Sequence, residues 1–208
     1  TVSLLAATIV VSHAEISKIT TENFFRLFNM VPQNLNPYAG WARAALRRFT
    51  ILGWGSSPGV PRITGDWGAC DPLNPKNRRR RASLLVERIS DDGAKTVVVI
   101  DTGPDFRDQM ISAEVKWLDA AVYTHAHADH IHGIDDLRGF WLSQRRLIDI
   151  HADLETLERL REGFGYCFET PKGSAYPPIV APHVINHEDA FEISGNGGVI
   201  QFEPLVQQ

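Results

Sequence analysis

The amino-acid sequence predicts an α/β protein with a mixed β-sheet. From about residue 48 onward, short apolar segments alternate with segments of helical periodicity, and Asp91-Asp92-Gly93 has the composition of a hairpin turn. Of the 208 residues, 43% are hydrophobic and 22% are charged, which is ordinary for a globular chain and disfavours disordered, collagen-like and coiled-coil proteins. The length suggests one domain with a small appendage.

The elements are predicted one by one from their local patterns. Runs of apolar and β-branched residues predict strands at 49–53, 83–88, 96–101, 120–124, 147–151 and 198–206. A period of 3.6 residues predicts helices at 105–112, 134–143 and 154–162. The segments 55–80 and 163–181 are predicted as loops. Strands that precede helices, with a hairpin among them, favour a sheet of parallel and antiparallel pairs.

Residues 1–47 differ in composition from the rest of the chain. They begin with an apolar stretch, continue with a helix-like segment at 21–28, and end in a linker of proline, asparagine and glycine. We predict that residues 1–47 form an appendage of helix and linker without chemistry, and that residues 48–208 form the functional domain. A secretory signal is the competing interpretation of the start, but no basic residue precedes the apolar run.

Charge and cysteine content exclude several function classes. The formal net charge of −4 argues against nucleic-acid binding through bulk charge. No apolar run approaches the roughly 20 residues that a membrane-spanning helix needs. Cys70 and Cys167 are isolated in the sequence, which disfavours a disulfide framework and excludes a zinc site made only of cysteines.

The strongest functional signal is the run THAHADHIHG at 124–133. His125 and His127 are two residues apart at the end of a predicted strand, so their side chains project to the same side and can share one metal ion. Asp129 and His130 follow as the chain turns into the next helix, and can face a second ion. Imidazole suits zinc, iron and manganese, and a carboxylate tolerates harder ions. A solvated loop without metal is the alternative.

Four weaker candidates concern a phosphate-bearing substrate. Ser56 and Ser57 lie in a glycine-rich turn that could offer backbone N–H groups to a phosphate, although a tight packing turn explains it equally well. Arg81, at the end of an arginine run, could bind phosphate bidentately, and Arg138 is a further candidate. The segment 164–171 is interpreted either as a lid or as a hydrophobic clamp on the core.

The histidine run carries a family resemblance. It matches the HxHxDH signature of the metallo-β-lactamase superfamily, and the chain resembles its phosphoribosyl 1,2-cyclic phosphate phosphodiesterase branch. Supporting matches are LGWGSSPGVP at 52–61, RASLLV at 81–86, DTGPDFR at 101–107 and GIDDLR at 133–138. The resemblance covers about residues 48–208 and implies an αβ/βα sandwich with mixed sheets. Residues 19–28 are similar to the final helix of TatD-family metal-dependent deoxyribonucleases, without that family's metal ligands.

The resemblance implies a hydrolase with two divalent metal ions, zinc or manganese. His125 and His127 would hold one ion, and Asp129 and His130 would hold the other. Asp129 is also the candidate catalytic residue. A metal-activated hydroxide would attack phosphorus. Asp101 would orient a ligand histidine; the competing role is a turn carboxylate that caps the helix near Asp105.

The family's site needs more ligands than these four. A third histidine, a bridging aspartate and a last histidine are expected, and no HG dipeptide follows the strand predicted at 198–206. His151, His183 and His187 are available, but none stands at the matching place. We therefore expect a domain truncated at its C-terminus, with half its metal shell and weak metal binding.

These expectations lead to one functional hypothesis and three alternatives. The hypothesis is a cytoplasmic, metal-dependent phosphodiesterase that acts on a small cyclic phosphate or nucleotide-like ester, with no membrane partner, with nucleic acid disfavoured, and with a homodimer left open. The alternatives are a transfer-RNA 3′-processing type of nuclease, a thioester or lactone hydrolase of the same fold, and an inactive fragment.

Overall fold

The computed structural model describes residues 46–205, which are built around a six-stranded mixed sheet. The strands lie side by side in sequence order: β1 Leu46–Gly53, β2 Ser83–Ile89, β3 Lys95–Ile100, β4 Ala120–Val122, β5 Ile148–Ala152 and β6 Val180–Val184. β1, β2 and β3 pair antiparallel, whereas β3 to β6 run parallel. This arrangement confirms the predicted α/β class with a mixed sheet.

Four α-helices connect the strands. They are α1 Phe106–Ser112, α2 Ala128–Ile131, α3 Leu137–Gln144 and α4 Leu154–Phe168, with short 3₁₀ helices at Pro75–Asn77 and Ile134–Asp136. One face of the sheet forms the larger hydrophobic core with helix residues such as Phe106, Leu137 and Leu160, all of which are buried. Burial of this apolar surface stabilises the helices on the sheet.

A two-stranded hairpin covers part of the opposite face of the sheet. β7 Phe191–Gly195 and β8 Gly198–Phe202 pair antiparallel, and Ile193 and Ile200 pack on the central strands. The Thr96 hydroxyl donates to the carbonyl oxygen of Gly198 at 2.6 Å. The ring of His151 on β5 stacks on Phe191 with 5.3 Å between centroids, and on His183 of β6 with 4.7 Å. These contacts attach the hairpin to the sheet.

The parallel strands bring two distant segments to one edge of the sheet. β3 ends at Ile100 and β4 ends at Val122, and these two residues are partners in the strand register. Asp101 therefore lies beside the segment that leads into the histidine run, and its N–H donates to the carbonyl of Val122 at 2.8 Å. Because parallel strands end at the same edge, the fold places Asp101 next to His125 to His130.

The structure corrects the prediction for the chain after residue 153. The last helix extends to Phe168, whereas a loop was predicted from 163, and β6 and β7 were not predicted. α4 is kinked at Phe164, whose φ of −133° and ψ of 36° are not helical, so Gly163 and Gly165 flank a break in the helix. Leu160 before the kink and Cys167 after it are both buried. Of the two interpretations of 164–171, residues 164–168 fit the hydrophobic clamp rather than the lid, because Phe164 and Phe168 pack against the core and Cys167 is buried in it.

The appendage was predicted at 1–47, and its resemblance to a deoxyribonuclease helix lies within this range. Residues 1–45 lie outside the described ones, and Leu46 and Arg47 belong to β1. No helix between residues 46 and 205 is long and apolar enough to cross a lipid bilayer.

Candidate metal centre

The histidine run lies on the loop between β4 and α2. The chain leaves β4 at Val122, passes through Thr124 and His125 in non-helical conformation, and enters α2 at Ala128 with His127 as N-cap residue. Backbone N–H groups of His130 and Ile131 donate to the His127 carbonyl at 2.9 and 3.2 Å. This tight turn places four potential ligand side chains within six residues, as the sequence predicts.

Three imidazole rings of this loop are in contact. Nε2 of His125 lies 2.9 Å from Nδ1 of His127, and the ring centroids of His125 and His130 are 4.0 Å apart. Nε2 of His130 lies 3.3 Å from a carboxylate oxygen of Asp129. His127 is exposed, whereas His125 and His130 are partly buried. The loop therefore brings together the four residues that the sequence analysis singled out.

Asp101 is the support of this cluster. Its carboxylate accepts hydrogen bonds from the Thr124 N–H and the Thr124 hydroxyl, both at 2.8 Å, and lies 2.7 Å from Nδ1 of His130. Asp101 is 3% exposed. It forms no cap on α1, whose N-cap residue is Asp105. Of the two roles considered for Asp101, its contacts fit the orientation of a histidine.

The pKa values of the two partly buried histidines are shifted in opposite directions. Burial and the neighbouring His130 ring lower the pKa of His125. Burial also acts to lower the pKa of His130, but the hydrogen bond that its Nδ1–H donates to Asp101 and the charges of Asp101 and Asp129 outweigh burial and raise this pKa. A carboxylate at Nδ1 holds the proton on that nitrogen and leaves Nε2 as the atom that can bind a metal.

Main-chain contacts hold the loop against the turn that follows β3. The Thr102 N–H donates to the His130 carbonyl at 2.8 Å, and the Gly133 N–H donates to the Thr102 carbonyl at 2.7 Å. A Cβ at Gly103 would overlap the Asp129 carbonyl oxygen, and one at Gly133 would overlap the Gly103 carbonyl oxygen. Only residues without a side chain permit this close approach.

Thr124 and Thr102 are site residues that sequence reasoning missed. The Thr124 hydroxyl lies between Asp101 and Nδ1 of His125, 3.0 Å from the latter. The Thr102 hydroxyl lies 2.9 Å from the hydroxyl of Tyr123, and burial raises the pKa of that tyrosine. The sequence offered only their positions as a signal: Thr124 precedes the candidate ligand His125, and Thr102 follows Asp101.

The four candidate ligands are of the kinds that bind divalent metal ions, but too few of them converge on one point to hold an ion. Two ligands of one tetrahedral ion, each about 2.0–2.1 Å from it, lie about 3.3 Å apart, and the His125–His127 and Asp129–His130 pairs have separations of this order. Within residues 46–205, however, no group of three or more histidine, cysteine, aspartate or glutamate side chains is arranged to hold an ion. The ligand assignment stays a prediction.

The arginines proposed as phosphate ligands are engaged within the chain. Arg81 forms an ion pair with Asp105 at 2.9 Å, and its Nε donates to the Ser57 carbonyl at 3.2 Å. This clamp holds the turn that carries Ser56 and Ser57, whose side chains are exposed. Arg138 pairs with Asp135 at 3.3 Å. In each guanidinium, some of the N–H groups therefore already have a partner within the chain.

Comparison with known proteins decides the family. A sequence profile of the beta-lactamase superfamily domain matches residues 96–207, which is more than half of the chain. The chain belongs to the beta-lactamase superfamily. One similar solved structure is that of a new diphosphatase from the PhnP family, which is 36% identical in sequence and has a TM-score of 0.59. The similarity covers 72% of this superfamily chain and 54% of the diphosphatase chain.

Two further proteins resemble this beta-lactamase superfamily chain. An octanoyltransferase of Porphyromonas gingivalis is 36% identical over 160 residues, which are 76% of this chain and 30% of that protein. Zinc-bound PqqB of Methylobacterium extorquens is 17% identical with a TM-score of 0.48, over 70% of this chain and 48% of that chain. The chain thus spans between about a third and about half of the length of these proteins.

Proposed function

We propose that the chain carries the metal-binding loop of a phosphodiesterase that cleaves a small cyclic phosphate or a nucleotide-like ester. The observation that carries the proposal is the contact of buried Asp101 with Nδ1 of His130 at 2.7 Å. It leaves Nε2 of His130 beside Asp129, with the His130 ring 4.0 Å from the ring of His125. A histidine fixed from behind by a carboxylate is the usual arrangement of a metal ligand.

Zinc or manganese would be held by His125 and His127 in one position and by Asp129 and His130 in the other. A divalent ion there supplies positive charge for the phosphoryl oxygens and lowers the pKa of a water molecule toward about 7. Asp101 keeps the His130 proton on Nδ1, and the Thr124 hydroxyl orients both Asp101 and His125. The Asp129 carboxylate, a ligand of the second ion in this proposal, would also lie close to the water bound there and could take up its proton.

The arginine clamp supports a phosphate substrate. Arg81 uses its Nε for the Ser57 carbonyl and its Nη1 for Asp105, and its Cβ lies 3.8 Å from the position that a Cβ at Gly103 would take, beside Asp129. Its remaining N–H groups can donate to a phosphoryl oxygen. The diphosphatase of the PhnP family, at 36% identity, supports chemistry at phosphorus. The octanoyltransferase is matched over only 30% of its length, so its activity is not extended to this chain.

The test combines metal content with hydrolysis by the full chain. We expect zinc or manganese to be detected by elemental analysis after loading and desalting, and bis(p-nitrophenyl) phosphate to be hydrolysed only by the loaded protein. Chelation should remove the activity and re-addition of metal should restore it. Bound metal without release of p-nitrophenol contradicts the proposal. Cleavage of a thioester alone, in a parallel assay, would favour the thioester hydrolase instead.

A further inference from the structure

A cavity lies at the edge of the sheet where β3 begins. Its volume is about 470 Å³, which is within the range of sites for small organic molecules. Strand residues line one wall, and the loop between α1 and β4 lines the other with Val115, Lys116 and Trp117. Because β3 and β4 are parallel, and the loop of residues 124–130 follows the far end of β4, the cavity and that loop lie at opposite edges of the sheet.

Part of the cavity wall is apolar and held in place. Leu85 and Val97 line the cavity and belong to the larger hydrophobic core. The Trp117 indole N–H donates to Asp119 at 2.9 Å, and the Arg146 guanidinium lies over the indole, 5.4 Å from its centroid. A ring that is fixed before binding loses little conformational entropy when a ligand packs against it.

The cavity also carries an excess of positive charge. Among the described residues that line it, Arg48, Lys95 and Lys116 are cationic, and Glu87 and Glu114 are anionic. The lining therefore has three positive charges against two negative ones, although the chain as a whole has a net charge of −4. An organic anion is the kind of ligand that this local charge attracts.

The three cations retain N–H groups for a ligand. Glu87, whose side chain is 8% exposed, accepts from Lys95 Nζ at 2.9 Å and pairs with Arg48 Nη1 at 3.5 Å. A guanidinium has five N–H donors and an ammonium group has three, so both cations can still donate. Lys116 forms no ion pair with any residue between 46 and 205. A carboxylate can accept two N–H bonds from one guanidinium.

We propose that this cavity binds a small organic anion in which a carboxylate is attached to an aromatic ring. The ring packs against Trp117 and the apolar wall, and the carboxylate accepts from Arg48 and Lys116. A cation with the same ring meets the positive excess, and an anion without a ring leaves the apolar wall in water. The inference does not depend on the proposed function, because it uses no residue of the 124–130 loop.

Isothermal titration calorimetry of the full chain tests the charge and the ring of the ligand separately. The protein is treated with a chelator and desalted first, so that no carboxylate binds through a metal ion. 2-Naphthoate has the ring and the carboxylate, acetate has the carboxylate alone, and 2-naphthylmethylamine has the ring with a positive charge. 2-Naphthoate should bind at least tenfold more tightly than either of the others. No binding of 2-naphthoate, or equal binding of one of the others, overturns the proposal.

Two variants with reversed charge locate the binding. Lys116→Glu replaces the unpaired cation of the cavity and should weaken 2-naphthoate binding about five- to tenfold. Lys76→Glu, in the 3₁₀ helix between β1 and β2, changes the net charge equally and should bind like the wild type. Equal affinities of the two variants would place the site outside the cavity and overturn the proposal.

A tryptophan pair tests the aromatic wall. Trp117→Leu should weaken 2-naphthoate binding about three- to tenfold, because the ring contact is lost. Trp54→Leu removes an indole that does not line the cavity and should bind like the wild type. Wild-type affinity of a folded Trp117→Leu variant overturns the proposal. If circular dichroism shows that this variant does not fold, the comparison of the two lysine variants decides.

Discussion

The carboxylate of Asp101 lies 2.7 Å from Nδ1 of His130, and the backbone of Asp101 is left-handed with φ 62°. A left-handed conformation is uncommon for a residue other than glycine and is retained where surrounding contacts over-determine it. Here those contacts are the two hydrogen bonds from Thr124 and the contact with His130. The turn after β3 thus positions His130 in the loop of residues 124–130 (the metal loop).

Asp101→Asn should weaken zinc binding about 10- to 100-fold, which is typical for a carboxylate behind a ligand histidine. The amide no longer carries the charge that holds the proton on Nδ1 of His130. Competition with a chromogenic chelator measures the affinity, and circular dichroism checks the fold. Asp91→Asn, in the exposed hairpin turn, is the control and should bind like the wild type. Equal zinc affinity of both variants would remove Asp101 from the site.

His127→Ala should abolish phosphodiester hydrolysis without unfolding the protein. His127 is exposed, so its removal leaves no cavity, whereas it takes away one of the two donors assigned to the first ion. Initial rates on bis(p-nitrophenyl) phosphate provide the measurement. His187→Ala removes a histidine outside the loop and should retain full activity. Full activity of His127→Ala would show that the metal assignment is wrong.

Gly133→Ala should lower the free energy of unfolding by about 1–3 kcal/mol, because the added Cβ meets the Gly103 carbonyl oxygen and the Phe106 side chain. Gly139→Ala is the matched control: it lies inside α3, where a Cβ has no neighbour within 4 Å. This change should stabilise the chain by about 0.5–1 kcal/mol. Denaturant unfolding of both variants measures the two effects, and similar values for the two would argue against the close backbone contact.

The pH dependence of stability should contain a contribution from His151. Burial, followed by the neighbouring His183 ring, lowers the pKa of His151 to about 4, whereas the charge of Asp149 opposes this shift. In the unfolded chain a histidine has a pKa near 6.5. The unfolded state therefore takes up the proton first, and stability falls as the pH decreases from about 6.5 to about 4.

His151→Phe keeps a ring between His183 and Phe191 but does not titrate. The midpoint of thermal unfolding should decrease less between pH 7 and pH 4.5 in this variant than in the wild type. The difference between the two proteins isolates His151 from the carboxylates and other histidines that also titrate. Parallel curves for the two proteins would show that His151 contributes nothing to acid sensitivity.

Elements whose signals are local were predicted well from the sequence. The strands 83–88 and 96–101 and the turn between them correspond to β2, β3 and Gly93 with φ 84°. A hairpin turn and a period of two residues are properties of neighbouring positions, so no distant contact is needed to recognise them.

Elements that depend on tertiary contacts were missed. Pro182 lies within β6, and a proline is tolerated there because β6 is an edge strand. In the sequence alone, the same proline argues against a strand. The end of α4 contains glycine and aromatic residues typical of a loop, yet Cys167 is buried and its carbonyl accepts from the Ile179 N–H at 2.8 Å. The edge position of β6 decides the first case, and the burial of Cys167 decides the second.

The candidate site divides in the same way. Four residues of the metal loop are neighbours in sequence and were singled out as ligands by their spacing. The choice between two roles for Asp101 could not be made, because its partner His130 lies 29 residues away.

The frame of the metal loop consists of main chain. The bonds from Thr102 to His130 and from Gly133 to Thr102 use only backbone atoms, and Gly103 and Gly133 fit by lacking side chains. Exchange of the His127 or Asp129 side chain does not break these backbone bonds, so the loop should keep its position. The metal preference proposed for this loop could therefore be altered, in evolution or in the laboratory, by single ligand exchanges on a scaffold that need not be rebuilt.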